Sequence, residues 1–473
     1  MRQWSRRTAW EACVGEHVVV IGADAAGMSA AHQALRTAKA RGRTLEVVVL
    51  ERTDHTSYSA CGIPYWIAGD VPAPDRLVAR TAAGHRALGV DLRLGTSAVA
   101  LDVAARRVTA TSQDGTTTHL GYDHLVLATG AHPRVPGWAL DASGGWIPGV
   151  RVVKTLDDGA AWVEQVTRDR RPARAVVVGG GYIGVETAEA FVRRGLPTTL
   201  VTRGEVMGTL DPDMGARVRQ AMTAGGVEVV AGAEVDGVET RADGSVAAVR
   251  SAGDVIPADV VALGLGVTPA TELAKDAGLP LGAFGGVLPD ARQQVGDGVW
   301  GVGDCCEAIE RLEGNRVYVP LGTHANKQGR VAGENLAGGS ATFGGVLGTA
   351  ITQFSAGGSH VEVGRTGPTT AQARAWGGKV ASLVTESTTA AGYMPQASPV
   401  AVKVLARPDG RLIGMQIVGG PGSAKRIDTA AAALWFHAHL DDVAGMDLSY
   451  APTFSPVWDP VQIASRRLAD RLD

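Results

Sequence analysis

One thiol, Cys61, stands in the run Ser57-Tyr58-Ser59-Ala60-Cys61-Gly62-Ile63-Pro64-Tyr65-Trp66-Ile67-Ala68-Gly69, with no second cysteine at CxxC or CxxxxC spacing. A solitary thiolate can attack a disulfide sulfur and expel the other half as a thiol. The mixed disulfide it leaves must then be opened by electrons from outside the cysteine set. Gly62 and Pro64 follow Cys61. Proline suits the first turn of a helix, where its missing N–H would have had no partner. A thiol at such a helix start lies in the positive end of the macrodipole, which favours the thiolate. A lone cysteine can equally be a buried packing residue, and the rest of the chain has to decide between the two.

Two stretches have the residue types that hold a dinucleotide. His17 to Ile21 reads as a buried strand, Gly22-Ala23-Asp24-Ala25-Ala26-Gly27 as a glycine turn, and Met28 to Arg41 as a helix. A second strand, Leu45 to Leu50, ends at Glu51. In this plan backbone N–H groups at the helix start hold a pyrophosphate and the acid holds a ribose hydroxyl. Asp24 occupies the middle-glycine position, so this copy is imperfect. The second copy is complete. Ala175 to Val178 leads into Gly179-Gly180-Gly181-Tyr182-Ile183-Gly184, then a helix carrying Glu186 and Glu189, then a strand Thr198 to Val201. That strand ends in Thr202-Arg203, with no acid. An arginine there suits a ribose 2′-phosphate, which favours NADPH over NADH.

Two further strand-to-glycine segments, Tyr122 to Gly130 and Gly298 to Asp304, complete the first unit. With them the chain resembles the flavin-dependent pyridine nucleotide–disulfide oxidoreductases from about residue 16 to 470. The single cysteine in Ser57-x-x-x-Cys61, followed by Pro64-Tyr65, is similar to the one-cysteine branch: coenzyme A-disulfide reductases, NADH oxidases and peroxidases, and persulfide or polysulfide reductases. The runs Tyr450-Ala451-Pro452-x-Phe454-Ser455-Pro456-x-x-Asp459-Pro460 and Lys425-Arg426-Ile427-Asp428 resemble the coenzyme A-disulfide reductase side.

The resemblance implies an α/β chain with two dinucleotide-binding (Rossmann-like) domains, the second inserted in the first, and a C-terminal α+β dimerisation domain. The implied bounds are 16–150 and 282–345 for the FAD domain, 151–281 for the NAD(P)H domain and 346–473 for dimerisation. The implied FAD set is Gly22, Ala23, Ala26, Gly27, Glu51, Arg52, Val99, Thr129, Gly130, Asp304 and Ala325. The implied nucleotide set is Gly179, Gly181, Tyr182, Ile183, Gly184, Thr202 and Arg203. Ser29, Gln33 and Arg36 share one helix face, and with Ser57 they are the implied coenzyme A contacts. By the same resemblance Cys61 is the expected redox thiol, Tyr450 is expected to reach the sulfur of the partner's site and Tyr393 matches a second family tyrosine, which implies a homodimer. The implied electron path runs from NADPH through FAD and Cys61 to coenzyme A disulfide or a related small disulfide.

Composition narrows the alternatives. Of 473 residues 45% are apolar and 20% charged, with a net charge of -3, which argues against general nucleic-acid binding. Residues 1–15 carry Arg2, Arg6 and Arg7 without an apolar core of signal-peptide length and read as a short arm. No run reaches the ~18 apolar residues of a membrane span. Four cysteines (Cys13, Cys61, Cys305, Cys306) make no disulfide framework and suit a reducing, cytoplasmic setting. No metal cluster is expected. His437 and His439 fall in Thr429 to Leu440, which reads as a helix, and Val400–Leu405 with Leu412–Val418 read as a hairpin around Pro408-Asp409-Gly410. The end of the chain shortly after Tyr450 leaves no expected rhodanese-like domain. Two other uses of Cys61 stay open: reduction of oxygen, peroxide or persulfide, with sulfenic acid as the oxygen-linked form, and a redox sensor in which turnover is incidental.

Overall fold

The computed structural model describes residues 15–168 and 172–472; Cys13 and Arg2, Arg6 and Arg7 of the expected arm lie outside the described residues. Three main sheets carry the chain. The first has the strand order Gln294–Gly296, Val299–Gly301, His124–Leu127, Glu16–Ile21, Leu45–Leu50, Val90–Arg93. It is parallel except for the Gln294–Gly296 hairpin edge. Its central strands are unbroken apolar runs because both faces are covered, the rule for parallel sheets. Val18, Val19 and Val20 are fully buried. This sheet takes strands from before residue 128 and after residue 293, and the second sheet is built from the chain between them.

The second sheet is wholly parallel: Val227–Ala231, Thr198–Thr202, Ala175–Val178, Val260–Leu263, Val150–Val152. The chain leaves the first sheet through Ala131–Pro133 and returns through Val267–Pro269, and these two segments pair antiparallel. The crossing points therefore brace each other. The third sheet, Ala350–Ala356, Ser359–Thr366, Leu412–Gly419, Pro399–Ala406, Ala381–Thr388, is antiparallel throughout. The expected hairpin is present in it, turned at Gly410 with φ +82°. Helices Ile427–Trp435 and Pro460–Ala469 bury Ala430, Leu434, Val461 and Leu468 in its core.

Helices Ala25–Ala40 and Gly322–Leu336 lie side by side against the first sheet. Gly329 and Gly333 make this possible: a Cβ at either would strike the carbonyl oxygens of Ala26 and Ala30. The close approach brings Ala325 next to the first glycine turn, where Gly303 lies between it and Ala26.

Two expectations need correction. The first helix begins at Ala25, not Met28, because the glycine turn closes in three residues and Asp24 takes the extended N-cap conformation. The helix expected over Thr429–Leu440 stops at Trp435. His437 has φ +55°, a left-handed turn that no helix continues through, and His439 caps a separate short helix, Leu440–Ala444. Among the described residues no helix is long and apolar enough to cross a membrane.

Candidate active site

A cleft of about 2770 Å³ runs between the first two sheets and meets the third. It is several times larger than the roughly 300–1,000 Å³ of an ordinary small-molecule pocket. Both glycine turns open into it, at the carboxyl ends of their parallel strands, where open α/β sheets bind ligands.

At the first turn Gly22 has φ +108°, and a Cβ there would strike the Ala128 carbonyl. Gly27 packs directly on the Gly22 carbonyl oxygen. Glu51 anchors the turn: its Oε2 accepts from the Ala23 N–H at 3.0 Å, and its Oε1 accepts from the Thr53 N–H at 2.9 Å and hydroxyl at 2.8 Å. Asp24, at the middle-glycine position, is half-buried near this carboxylate. Desolvation and the Glu51 charge push it up to about 6, and Lys154 draws it down. Next to the first turn, after Gly303, Asp304 is raised by burial, again opposed by Lys154, and its carboxylate accepts no hydrogen bond within the described chain. A half-buried acid without a donor, beside a turn that only glycine can form, fits the ribitol and pyrophosphate end of FAD.

The second turn repeats the first. Gly179 has φ +113°, a Cβ on Gly184 would strike its carbonyl oxygen, and Gly180 presses on Thr202. The helix Tyr182–Arg193 follows directly. Its first turns aim Tyr182 and Glu186, one turn apart, into the cleft. Glu186 accepts from the Thr352 hydroxyl at 2.8 Å and is pushed up to about 7 by burial.

Cys61 lies in a one-turn 3₁₀ segment, Ala60–Gly62, just before the helix Ile63–Ala68. Among the described free cysteines it alone is exposed, and it lines the same cleft as the two turns. Burial pushes its thiol up, Glu186 pushes in the same direction, and Lys154 acts against both. The expected thiolate preference from the helix end is therefore corrected. The helix has only six residues, and desolvation in the cleft and the Glu186 charge push the thiol the other way. Cys305 and Cys306 are buried with their sulfurs 3.7 Å apart, and Cys305 donates to the Leu127 and Val302 carbonyls. They pack behind the first sheet.

The cleft gathers most of the expected residues. Gly22, Ala23, Ala26, Glu51, Arg52, Val99, Thr129, Gly130, Asp304 and Ala325 line it together with Gly179, Gly181, Tyr182, Ile183, Thr202 and Arg203. Gly27 and Gly184 lie beneath the turns and do not line it. Ser29, Gln33, Arg36 and Ser57 also lie outside it. Ser29 donates to Asn326 at 2.8 Å, Arg36 to Gln33 at 2.7 Å, and Gln33 to Thr37 at 3.1 Å. Ser57, at φ +47°, shares a hydrogen bond of 2.9 Å with His85, which shares another of 2.7 Å with His32. Tyr393 and Tyr450 lie on the third unit, 76% and 48% exposed, and Phe436, Phe454, Val457 and Trp458 are further exposed apolar side chains of that unit. Their hydroxyls touch each other and not Cys61. Sequence reasoning gave no part to Lys154, Glu186 or Thr352. The one available signal was Glu186, four residues after Tyr182 on a helix leaving a glycine turn.

Comparison with known proteins shows the family. Residues 16–329 match the pyridine nucleotide-disulphide oxidoreductase family and residues 355–460 its dimerisation domain, so the chain belongs to that family. It is a flavoprotein oxidoreductase that uses FAD and NAD(P)H. The CoA-dependent NAD(P)H sulfur oxidoreductase of Pyrococcus abyssi is 34% identical over 464 residues, covering 96% of this chain and 98% of the relative. An NADH oxidase of Methanocaldococcus jannaschii is 31% identical over 457 residues, covering 96% and 99%. The structure of reduced CoADR-RHD from Bacillus anthracis superposes with a TM-score of 0.89 at 29% identity, covering 97% of this chain and 81% of that one.

Proposed function

We propose that the protein reduces coenzyme A disulfide, or a closely related small disulfide, with NADPH as donor and Cys61 as the attacking sulfur. The observation that carries this is the placement of Cys61: an exposed free thiol in the same cleft as both glycine turns. Similarity to a CoA-dependent sulfur oxidoreductase and to CoADR-RHD supports the substrate class. The domain division at 16–150, 151–281, 282–345 and 346–473 belongs to the same reading, as does a cytoplasmic, reducing location for the free thiols.

The Cys61 thiolate attacks one sulfur of the substrate, the substrate S–S bond breaks, and a Cys61–substrate disulfide forms as the first thiol leaves. FAD, when bound, supplies the two-electron chemistry between nicotinamide and sulfur. Over a full cycle one NADPH and one proton reduce one disulfide to two thiols. Glu186, pushed up to about 7 by burial, supplies a proton for the leaving thiolate in this reading. Lys154 lowers the cost of negative charge at Cys61. The glycine turns and Asp304 hold FAD and Glu51 its ribose. Ser29, Gln33 and Arg36 of the first helix, together with Ser57, meet the nucleotide end of the substrate in this reading.

The test is the mass of the protein purified without reductant, together with turnover on coenzyme A disulfide, polysulfide and oxygen. An adduct of coenzyme A mass that NADPH releases, and faster turnover on the disulfide, are expected. Oxygen consumption with no disulfide turnover overturns this reading in favour of an oxidase.

Tyr450 and Tyr393 enter this reading from the partner subunit, because they are exposed in the dimerisation domain and away from the chain's own Cys61. Cys61→Ser and Tyr450→Phe homodimers are each expected to lose most disulfide turnover. Mixed dimers of the two variants should regain part of it, since one of their two sites is then native. Mixtures no more active than the separate variants would show that Tyr450 does not act across the interface.

A further inference from the structure

The strand Thr198–Thr202 ends without the acid that usually meets the ribose of NADH, yet an acid stands beside it. Thr198–Thr202 and Val227–Ala231 are parallel neighbours in register, with Thr202 opposite Ala231. The chain beyond Ala231 turns at Gly232, φ +79°, and the Ala233 N–H donates to the Thr202 carbonyl at 3.1 Å. That bond pins the next residue, Glu234, to the end of the neighbouring strand. Its Oε1 lies 3.7 Å from Arg203 Nη1. Both side chains line the mouth of the cleft with Gly179, Gly180 and Gly181, and Gly180 packs against Thr202. The pair is more than two-thirds exposed on each side, so solvent screens it and an incoming phosphate can compete for the arginine.

We propose that Glu234 is a specificity-determining residue for the nicotinamide nucleotide, acting through and against Arg203. This rests on the reading that the second glycine turn holds NAD(P)H. The 2′-phosphate of NADPH draws Arg203 away from Glu234 and then has the Glu234 carboxylate as a like-charged neighbour. The free 2′-hydroxyl of NADH donates to Glu234, which takes the place of the missing strand-end acid, and leaves the Arg203–Glu234 pair intact. Arg203 favours NADPH, Glu234 favours NADH, and the protein uses both with a modest NADPH preference.

The experiment measures kcat/KM for NADPH and NADH, and calorimetric affinities for NADP+ and NAD+, in the holoenzyme and in Glu234→Gln, Arg203→Gln and Arg203→Glu. Glu234→Gln is expected to raise the NADPH-to-NADH ratio by about tenfold, as removal of one like charge at a recognition site does. NADP+ should bind more tightly and NAD+ less tightly. Arg203→Gln should weaken NADPH alone, and Arg203→Glu should turn the preference to NADH. A Glu234→Gln ratio unchanged within about twofold, with Arg203→Gln still weakening NADPH, overturns the role of Glu234 and leaves the nucleotide site standing. If no variant alters the binding of either nucleotide, both this role and the reading of the second turn fail.

Discussion

Cys61→Ser is expected to keep its FAD, to accept hydride from NADPH and to reduce artificial dyes, while disulfide turnover falls by about 10³-fold or more, the scale on which removing a catalytic nucleophile acts. A serine hydroxyl is a poor nucleophile toward sulfur and does not ionise in the working range. The substitution is close in size, and Cys61 is exposed in a short turn, so the glycine turns and Asp304 are untouched. Any long-wavelength absorption from a thiolate beside the flavin should vanish with the sulfur. Replacing Cys13, Cys305 and Cys306 together should leave disulfide turnover largely intact. Cys305 and Cys306 are sealed behind the first sheet, and their loss should appear as lowered melting temperature. Full disulfide turnover in Cys61→Ser would end the single-thiol account and direct attention to another acceptor or another cysteine.

Gly184→Ala should separate the two nucleotide units. The added methyl would overlap the Gly179 carbonyl oxygen, which belongs to the backbone, and a Cβ has no torsion by which to swing away. The turn has to open, which displaces the N–H groups at the start of helix Tyr182–Arg193. Reduction of the bound flavin by NADPH should slow by about 10²-fold or more, as misplacement of a bound reactant by an ångström does. FAD content should stay near one per chain, and reduction by dithionite should proceed normally. Gly27→Ala makes the same clash with the Gly22 carbonyl in the first unit, and should instead yield protein poor in FAD. Normal flavin reduction by NADPH in Gly184→Ala, with FAD retained, would show that the nucleotide does not rest on this turn.

The strand, turn and helix of each unit were legible in the sequence because they obey local rules. Unbroken valine runs mark buried parallel strands, and glycines at 22, 27, 179 and 184 mark backbone that must double back on itself, as their would-be clashes confirm. The Pro408-Asp409-Gly410 hairpin was legible for the same reason. Cys61 could be singled out by its lack of a partner and its place in a family pattern. What sequence alone did not reveal depends on residues far apart in the chain. The Cys61 thiol is raised by burial in the cleft and by Glu186, on a helix of the second unit, against Lys154, just after strand Val150–Val152 of that unit. Glu186 in turn is positioned by Thr352 of the third sheet. A helix-end argument sees only neighbours in sequence and so points the thiol in the wrong direction. Arg203 read alone indicates one nucleotide. Glu234, brought beside it by the register of two parallel strands, gives the site its second preference. Local backbone geometry is written in residue type and spacing, whereas the charge surrounding a reactive atom is a sum over everything that folding brings near it.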